Sequence, residues 1–244
     1  MKTLGIIPAR FASTRFPGKP LVLIDGKTML QRVYEQASKS QLHQVVIATD
    51  DTRIFDAATD FGAQAVMTSA HHRSGTDRIA EVAKAFDAEI VVNIQGDEPF
   101  IEPSQINLLV DFLKSHEAIE IATLCKQITD HEQLMSPNVV KVVRNIKQEA
   151  LYFSRNPIPF LRDVATEKWL LEAAHFKHIG MYAFRKKTLL ELAELAATNL
   201  EKLENLEQLR WLENGFTIGV IETALETIGI DTPEDLEKLN TTRQ

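Results

Sequence analysis

A loop near the start of the sequence carries three cationic side chains, Arg10, Arg15 and Lys19. The loop follows the apolar run Thr3–Ile7, which is typical of a buried parallel strand. Two guanidinium groups and one ammonium group at a strand end can hold a triphosphate, together with backbone N–H groups. The loop lacks the pattern of a P-loop, G-x-x-x-x-G-K-[ST]. From its spacing alone it could equally be a solvated surface loop.

The acidic pair Asp97 and Glu98 lies just past the strongly apolar run Ile90–Ile94. Mg²⁺ prefers oxygen ligands and usually takes one or two protein carboxylates together with phosphate oxygens. Two adjacent carboxylates at a strand end therefore favour a magnesium site with Asp97 as a ligand. The alternative is a turn in which Asp97 caps the next element.

A third segment, His71–Arg78, combines two histidines with a glycine at position 75. Gly75 allows the backbone to approach a ligand closely. The paired histidines do not predict a metal site, because no Cys or further His stands at ligand spacing.

These residues are positioned by strand and helix signals that alternate through the first half of the chain. The alternation predicts an α/β, Rossmann-like fold with a mostly parallel sheet and helices on both faces. Ligands of such sheets bind beyond the carboxyl ends of the strands, which is where Arg10, Lys19 and Asp97 fall. We also expect a helix over 77–86 capped by Thr76, and a helix over 203–214 that ends at Gly215.

The second half is less regular, and we interpret residues 129–184 as an insertion that acts as a lid or makes a dimer contact. The region holds strand signals outside the regular alternation, at 139–143, 150–154 and 176–184. Because closed two-fold dimers are the commonest assemblies, we predict a homodimer.

Composition limits the classes of function. The chain has 244 residues, 44% of them hydrophobic, and a net charge of -7. An acidic protein of this kind is not expected to bind nucleic acid or a membrane. The single Cys125 is predicted to be a buried core residue, and together with the absence of an apolar leader it favours the cytoplasm.

The motifs taken in order resemble the 3-deoxy-manno-octulosonate (Kdo) cytidylyltransferase family, also called CMP-Kdo synthetases. The resemblance rests on the loop at 7–20, the segment at 72–78 and the Gln-Gly-Asp-Glu-Pro run at 95–99. It continues along the chain through 139–143, 152–155, 178–182, 206–210 and 229–236. The resemblance implies a single nucleotidyltransferase domain over 1–244 that transfers CMP from CTP to Kdo for lipopolysaccharide biosynthesis, with Mg²⁺ as cofactor.

The resemblance also implies site residues. Lys19, Arg10 and Asp97 would be catalytic, and Asp97 and Asp231 would bind the metal. Residues implied for the nucleotide are Ala9, Arg10, Ser13, Arg15, Lys19, Arg73 and Ser74. Residues implied for the sugar acid are Gln95, Arg78, Arg155, His178, Tyr182, Glu207 and Gln208. The sequence departs from some relatives at Arg73, where they have Gln, and at Thr227-Ile228, where they have Gly-Thr.

Structural interpretations compete with several of these roles. Asp231 precedes Thr232, Pro233 and Asp235, which fit the start of a helix. Glu207 and Arg210 could form a surface ion pair along a helix. His178 and Tyr182 could lie on the core face of a strand.

Rival functions also remain open. The closest is synthesis of a CMP-sugar from an 8-amino Kdo or from a sialic acid. A non-catalytic nucleotide-binding regulator on the same fold is the alternative of another class, and the paired carboxylates at 97 and 231 disfavour it.

Overall fold

The computed structural model describes residues 1–12, 16–72, 74–226 and 229–242. The chain divides into two compact units. The first unit comprises residues 1–110 and the chain from residue 227 onward, and the second comprises residues 111–226. The predicted insertion at 129–184 lies inside the second unit, whose bounds are wider.

The first unit contains a parallel sheet in the order β5-β4-β1-β6. Its strands are β1 (Thr3–Ala9), β4 (Gln44–Thr49), β5 (Gln64–Met67) and β6 (Ile90–Asn93). Nearly every residue of β1, β4 and β6 is buried, as expected for parallel strands that are covered on both faces. The predicted α/β class is confirmed.

Helices and a small hairpin complete the first unit. The hairpin pairs β2 (Leu23–Ile24) with β3 (Lys27–Thr28), and a 3₁₀ turn spans Lys19–Leu21. The helices are α1 (Met29–Ala37), α2 (Thr52–Asp60), α3 (Gly75–Lys84) and α10 (Pro233–Thr242), and α4 (Pro103–Ser115) begins in this unit and ends in the second. None of the helices within the described ranges combines the length and apolarity needed to cross a lipid bilayer.

Helix α3 begins earlier than the sequence analysis expected. Ser74 is the N-cap, and its hydroxyl accepts a hydrogen bond from the Asp77 N–H at 3.1 Å. The Asp77 carboxylate accepts in return from the Ser74 N–H at 3.1 Å. This reciprocal capping box satisfies two backbone donors, so the cap predicted at Thr76 was wrong. Thr76 lies inside the first turn.

The second unit contains a mixed sheet in the order β11-β7-β10-β8-β9. Only the β11 and β7 pair is parallel. The strands are β7 (Ile121–Gln127), β8 (Lys141–Arg144), β9 (Ala150–Ser154), β10 (Phe176–Arg185) and β11 (Ile218–Glu222). Cys125 is buried in β7, as predicted, and burial raises the pKa of its thiol to about 11.

Strand β10 carries a bulge opposite β7. The register passes from Ile179 opposite Leu124 directly to Tyr182 opposite Thr123, which leaves Gly180 and Met181 outside the regular pairing. A bulge bends a strand and redirects its side chains, and bulges are common beside active sites.

Five short helices complete this unit: α5 (His131–Met135), α6 (Trp169–Glu172), α7 (Lys186–Leu192), α8 (Asn199–Glu204) and α9 (Glu207–Glu213). The prediction of a single helix over 203–214 was therefore wrong at its start, where the structure has the end of α8 and the beginning of α9. Asn205 adopts a left-handed conformation with φ of 51°, which ends α8 before α9 begins. Gly215 follows α9 with φ of 84°, as predicted.

Candidate functional site

A cavity of about 420 Å³ opens in the first unit where β1 ends. Its walls come from the end of β1, the 3₁₀ turn, the first residue of α3 and the turn after β6. These segments meet because β1 and β6 are parallel neighbours, so their carboxyl ends share one edge of the sheet. The lining residues are Pro8, Ala9, Arg10, Ala12, Lys19, Pro20, Gly75, Gln95, Gly96 and Asp97.

Gly96 sets the position of the acidic turn. A Cβ atom at this residue would stand 3.0 Å from the Pro8 carbonyl oxygen of β1. A side chain here would push the turn away from β1, and Asp97 would move with it. Gly75 differs, since a Cβ there would meet only the Pro8 ring at 3.6 Å. The protein has room for a side chain at position 75, and its absence leaves that part of the cavity open.

Lys19 lies between two carboxylates. Its Nζ is 2.8 Å from Asp97 Oδ2 and 3.0 Å from Asp231 Oδ1. Burial alone would favour the neutral amine, but the two carboxylates outweigh it, and the pKa of Lys19 is raised. The ammonium therefore stays charged at neutral pH.

A backbone hydrogen bond brings Asp231 close to Asp97 and Lys19. The Ile230 N–H donates to the Asp97 carbonyl oxygen at 2.9 Å, and the Ile230 side chain is buried beside Ile24 and Met29. This anchor places residue 231 next to the turn after β6, although the two lie far apart in sequence.

The start of α10 uses the backbone of Asp231 and leaves its carboxylate directed at Lys19. The Asp235 carboxylate accepts hydrogen bonds from the Asp231 N–H at 3.1 Å and the Thr232 N–H at 3.0 Å. The Thr232 hydroxyl accepts from the Asp235 N–H at 3.3 Å. The helix start expected at Thr232 is therefore present, and it occupies a different group of Asp231 from the one that faces Lys19.

The two carboxylates fit a hard divalent cation. Asp97 and Asp231 each direct one oxygen at the same positive charge, which is the donor chemistry that Mg²⁺ prefers. Within the described ranges no group of three or more His, Cys, Asp and Glu side chains could form a metal site. The described residues thus offer two carboxylates, and phosphate and water oxygens would have to complete the shell.

Arg10 is tied to the segment before α3. Its Nη2 donates to the His72 carbonyl at 2.8 Å and to the Ser74 carbonyl at 3.2 Å. His72 itself pairs with Glu81 of α3. The guanidinium thus lies beside the positively polarised start of a helix, an arrangement that favours an anion.

Three of the predicted nucleotide residues, Ser13, Arg15 and Arg73, lie outside the described residues. Ala9, Arg10 and Lys19 line the cavity. Ser74 is not a lining residue; its carbonyl accepts a hydrogen bond from Arg10, which does line the cavity, and its hydroxyl caps α3.

Arg78 occupies a different environment from the other predicted sugar residue of the first unit, Gln95, which lines the cavity. The Arg78 side chain is fully buried, and its guanidinium donates to Asp50 at 2.9 Å and to the Thr68 hydroxyl. Its Nε finds no acceptor among the described residues. The arginine links α3 to the segments after β4 and β5, and this contact is a structural one.

In the second unit, the bulge of β10 brings His178 and Tyr182 together. Their ring centroids are 5.3 Å apart, and His178 also contacts Phe153 edge-on at 5.0 Å. Burial lowers the pKa of His178 to about 3, so the imidazole is neutral at physiological pH. Burial and the charge of Glu207 raise the pKa of Tyr182, which keeps the phenol protonated.

Several buried donors of the second unit have no hydrogen-bond acceptor among the described residues. They are the Tyr182 hydroxyl, Gln208 Nε2 and Trp211 Nε1. The rings of Tyr182 and Trp211 lie 5.0 Å apart at right angles. Buried polar groups are nearly always paired in folded proteins, so these donors are suited to a polar ligand or ordered water.

Arg155 is fixed by backbone oxygens. Its guanidinium donates to the carbonyls of Glu204 at 2.7 Å, Pro137 at 2.9 Å and Asn205 at 3.3 Å. The Glu204 carboxylate accepts from the Arg155 N–H at 2.9 Å and the Ser154 hydroxyl at 2.7 Å. These contacts hold the arginine in place between β9 and the end of α8.

Glu207 opens α9, one turn before Arg210. Arg210 donates mainly to Glu201, at 2.6 and 2.9 Å, and Glu207 lies at a longer 3.5 Å. The surface pair proposed from the sequence is thus the weaker of the two ion pairs.

Sequence reasoning missed Thr123, Glu204 and Trp211. Each contacts a predicted residue or carries an unpaired buried donor. Thr123 sits in the apolar run of β7, and no spacing rule relates it to His178. Only the pairing of β7 with β10 could have revealed that contact.

Comparison with known proteins places the chain in a family. The cytidylyltransferase family model matches residues 4–228. The chain is 52% identical to the 3-deoxy-manno-octulosonate cytidylyltransferase of Solibacter usitatus, over 98% of this chain and 93% of that protein. It is also 52% identical to the enzyme of that name from Parabacteroides distasonis, over 98% and 96% of the two chains.

A solved structure of a CMP:2-keto-3-deoxy-manno-octonic acid synthetase complexed with CTP superposes with a TM-score of 0.93. The two sequences are 42% identical, and the match covers 100% of this chain and 98% of the other. The resemblance seen in the sequence motifs is thereby confirmed, and the chain belongs to the cytidylyltransferase family.

Proposed function

We propose that this protein transfers CMP from CTP to the anomeric hydroxyl of Kdo and releases pyrophosphate, as a step of lipopolysaccharide biosynthesis. The observation that carries the proposal is the position of Lys19, between Asp97 and Asp231 at the edge of an open cavity. A cation beside two carboxylates at the end of parallel strands is suited to phosphoryl chemistry. The likeness to the Kdo cytidylyltransferases supplies the two substrates.

The nucleotide end of the site consists of cations and helix ends. Lys19 and Arg10 are proposed to neutralise the β- and γ-phosphates and to stabilise the leaving pyrophosphate. Backbone N–H groups in the first turn of α3, next to Ser74, are proposed to bind phosphate oxygens. Ala9, the last residue of β1, lines the cavity beside them. Ser13, Arg15 and Arg73 remain proposed nucleotide contacts that rest on the motifs alone.

Mg²⁺ is the proposed cofactor, held by Asp97 and Asp231. When bound, it would withdraw charge from the phosphoryl oxygens. Lys19 contacts both carboxylates in the protein alone, so a bound metal and Lys19 compete for the same oxygens. We propose that Lys19 then turns toward the phosphates, because its long side chain is a mobile point charge.

The residues proposed for the sugar acid are those that the motifs imply. Gln95 lines the cavity described above, and the others are Arg155, His178, Tyr182, Glu207 and Gln208. The unpaired buried donors of Tyr182 and Gln208 support a ligand rich in oxygen atoms. A guanidinium such as that of Arg155 suits the carboxylate of the sugar. Because Arg78 is buried against Asp50, we propose that it supports the site without touching the sugar.

The reaction is an in-line displacement. The anomeric oxygen forms a bond to the α-phosphorus of CTP, the bond to the β-phosphate oxygen breaks, and the hydroxyl proton leaves to solvent. The protein mainly positions the reactants and neutralises charge. The described residues show no activated nucleophile at the cavity, and no covalent enzyme intermediate is needed.

The decisive experiment measures pyrophosphate release with a matrix of substrates. CTP, UTP, ATP and GTP are each combined with Kdo, its 8-amino analogue and N-acetylneuraminic acid. We expect CMP-Kdo from CTP and Kdo, identified by mass, and much slower release with the other nucleotides. Product only from the amino sugar or the sialic acid would move the assignment to a sister activity. Binding of CTP without turnover of any sugar would favour a regulator.

A further inference from the structure

Thr123 of β7 faces the bulge of β10 and is fully buried. Its hydroxyl oxygen lies 2.9 Å from His178 Nε2, 2.9 Å from the Met181 carbonyl oxygen and 3.1 Å from the Ile179 carbonyl oxygen. One hydroxyl group thus meets an imidazole nitrogen and both carbonyls that flank the bulged residue Gly180.

The number of available protons determines which group donates in the hydrogen bond between Thr123 and His178. A threonine hydroxyl has one proton to give, and a backbone carbonyl can only accept. If the proton pointed at His178, the hydroxyl oxygen would face two carbonyl oxygens at 2.9 and 3.1 Å with no hydrogen between them. The proton therefore points toward the carbonyls of the bulge, and His178 Nε2 must carry its own proton and donate it to Thr123.

We propose that Thr123 is a positioning residue that holds His178 as the neutral Nε2–H tautomer, so that Nδ1 accepts a hydrogen bond from a hydroxyl group of the sugar acid. The inference rests on the proposed function for its ligand, and on the second unit alone for its geometry. The same hydroxyl stabilises the bulge that brings His178 to Tyr182.

An acceptor at this point complements its neighbours. The Tyr182 hydroxyl, Gln208 Nε2 and Trp211 Nε1 are all buried donors without acceptors among the described residues. Each sugar hydroxyl can donate one proton as well as accept, so the site needs acceptors beside these donors. The unprotonated Nδ1 of His178 supplies a neutral acceptor, in addition to the Glu207 carboxylate proposed for the same sugar.

The neighbouring rings keep the imidazole in this orientation. Phe153 meets the His178 ring edge-on at 77°, and Tyr182 contacts it at 50°. The ring is therefore held by two aromatic contacts and by one hydrogen bond. The two aromatic contacts do not distinguish the ring nitrogens, so the hydrogen bond to Thr123 is the described contact that selects the tautomer.

The direct test is the ¹⁵N spectrum of the histidine side chains in the whole protein. The His178 signals are assigned by their loss in His178→Gln. We expect wild type to show a protonated Nε2 and an unprotonated Nδ1. Addition of Kdo should shift the Nδ1 resonance and leave Nε2 largely unmoved. A protonated Nδ1 in wild type would overturn the proposal outright.

Thr123→Val tests the positioning role, since valine keeps the shape and removes the hydroxyl. We expect mixed tautomers and a KM for Kdo that rises about five- to tenfold, while the KM for CTP stays within about twofold. Thr123→Ser retains the hydroxyl and should restore both the spectrum and the KM. An unchanged His178 spectrum in Thr123→Val would refute the assignment.

Thr188→Val is the matched control. Thr188 is also a buried threonine of the second unit, and its hydroxyl donates to Glu120 at 3.3 Å. This variant should leave the His178 spectrum and both KM values unchanged. If Thr123→Val does not fold, the wild-type spectrum and Thr123→Ser decide the matter. Because the tautomer is measured without turnover, failure of this inference and failure of the proposed activity can be told apart.

Discussion

We expect the proposed nucleotide site to depend on Lys19 more than on any other described residue. Lys19→Ala should lower kcat by at least about a hundredfold, since a fixed charge on the leaving phosphates is lost. Its ion pairs are partly exposed, so the free energy of unfolding should fall by only about 1 kcal/mol. Turnover assays and urea unfolding check both values, with Lys39→Ala as a control at an exposed lysine whose ammonium donates to Gln36. Normal kcat and CTP affinity in Lys19→Ala would remove its phosphate role.

A substitution at Asp231 can distinguish a metal ligand from a residue that only supports the start of α10. Asp231→Asn keeps the N–H that serves α10 and removes the charge that Mg²⁺ needs. We expect kcat to fall and the Mg²⁺ concentration for half-maximal rate to rise by about tenfold or more. Because Lys19 already lies between the two carboxylates, little repulsion is left to relieve, and the melting temperature should barely change. Reduced stability with an unchanged Mg²⁺ requirement would assign Asp231 a structural role.

His178 makes stability depend on pH. Its pKa is lowered to about 3 in the folded state, whereas a histidine in the unfolded chain titrates near about 6.5. The unfolded state therefore binds the extra proton first, and stability is lost as pH falls below 6.5, by at most about 1.4 kcal/mol per pH unit. His178→Gln should flatten this slope between pH 7 and pH 5. Urea unfolding at both values measures it, and equal slopes in the two proteins would contradict the shift.

At the scale of elements, we expect the N-cap of α3 to affect both stability and nucleotide binding. Ser74→Ala removes the hydroxyl that accepts from the Asp77 N–H and should cost about 1 kcal/mol of stability. Ser74→Asp should restore the cap, because aspartate is a strong N-cap residue, but its charge would repel the triphosphate. We expect the Ala variant to lose stability and the Asp variant to lose CTP affinity. Thermal melts and calorimetric titration with CTP separate the two, and equal CTP affinity in both variants would exclude Ser74 from the nucleotide site.

The bulge of β10 determines the positions of His178 and Tyr182, which the sequence pattern of the strand does not predict. In a regular strand, residues 178 and 182 share one face by alternation. The bulge between them changes the register, and Thr123 bonds to the carbonyls on either side of it. The proximity of the two rings is thus a property of the irregular strand and its neighbour β7.

At the scale of the whole molecule, we predict a two-fold homodimer. Ten large apolar side chains within the described ranges are exposed, and seven of them belong to the second unit, among them Phe160 at 76% and Leu171 at 83%. Single exposed apolar side chains are common, but Phe160 packs against Trp169 at 5.2 Å, two residues before Leu171, and grouped apolar side chains mark surfaces that bind a partner. Light scattering at micromolar concentration should give twice the mass of 27.5 kDa. Phe160→Glu or Leu171→Glu should weaken the dimer, with Leu23→Glu in the first unit as the control, and a monomer mass for wild type would remove the prediction.

The sequence by itself determined the α/β class, the strand-end position of Arg10, Lys19 and Asp97, and the family. These follow from local information, because apolar periodicity, turn residues and ordered motifs are written along the chain. Local signals also located most elements, and they failed at the start of α3 and at residue 205. A capping box starts α3 at Ser74, and the left-handed conformation of Asn205 ends α8, although the apolar periodicity predicts other helix bounds.

Only the tertiary structure decided which side chains meet. The contact of Lys19 with Asp231 depends on the Ile230 N–H that bonds to the Asp97 carbonyl, and the burial of Arg78 depends on Asp50. The contact of Thr123 with His178 depends on the pairing of β7 with β10. These pairs are distant along the chain, and the free energy that unites them comes from packing and hydrogen bonds of the folded state. Motif spacing along a single sequence carries no record of such contacts.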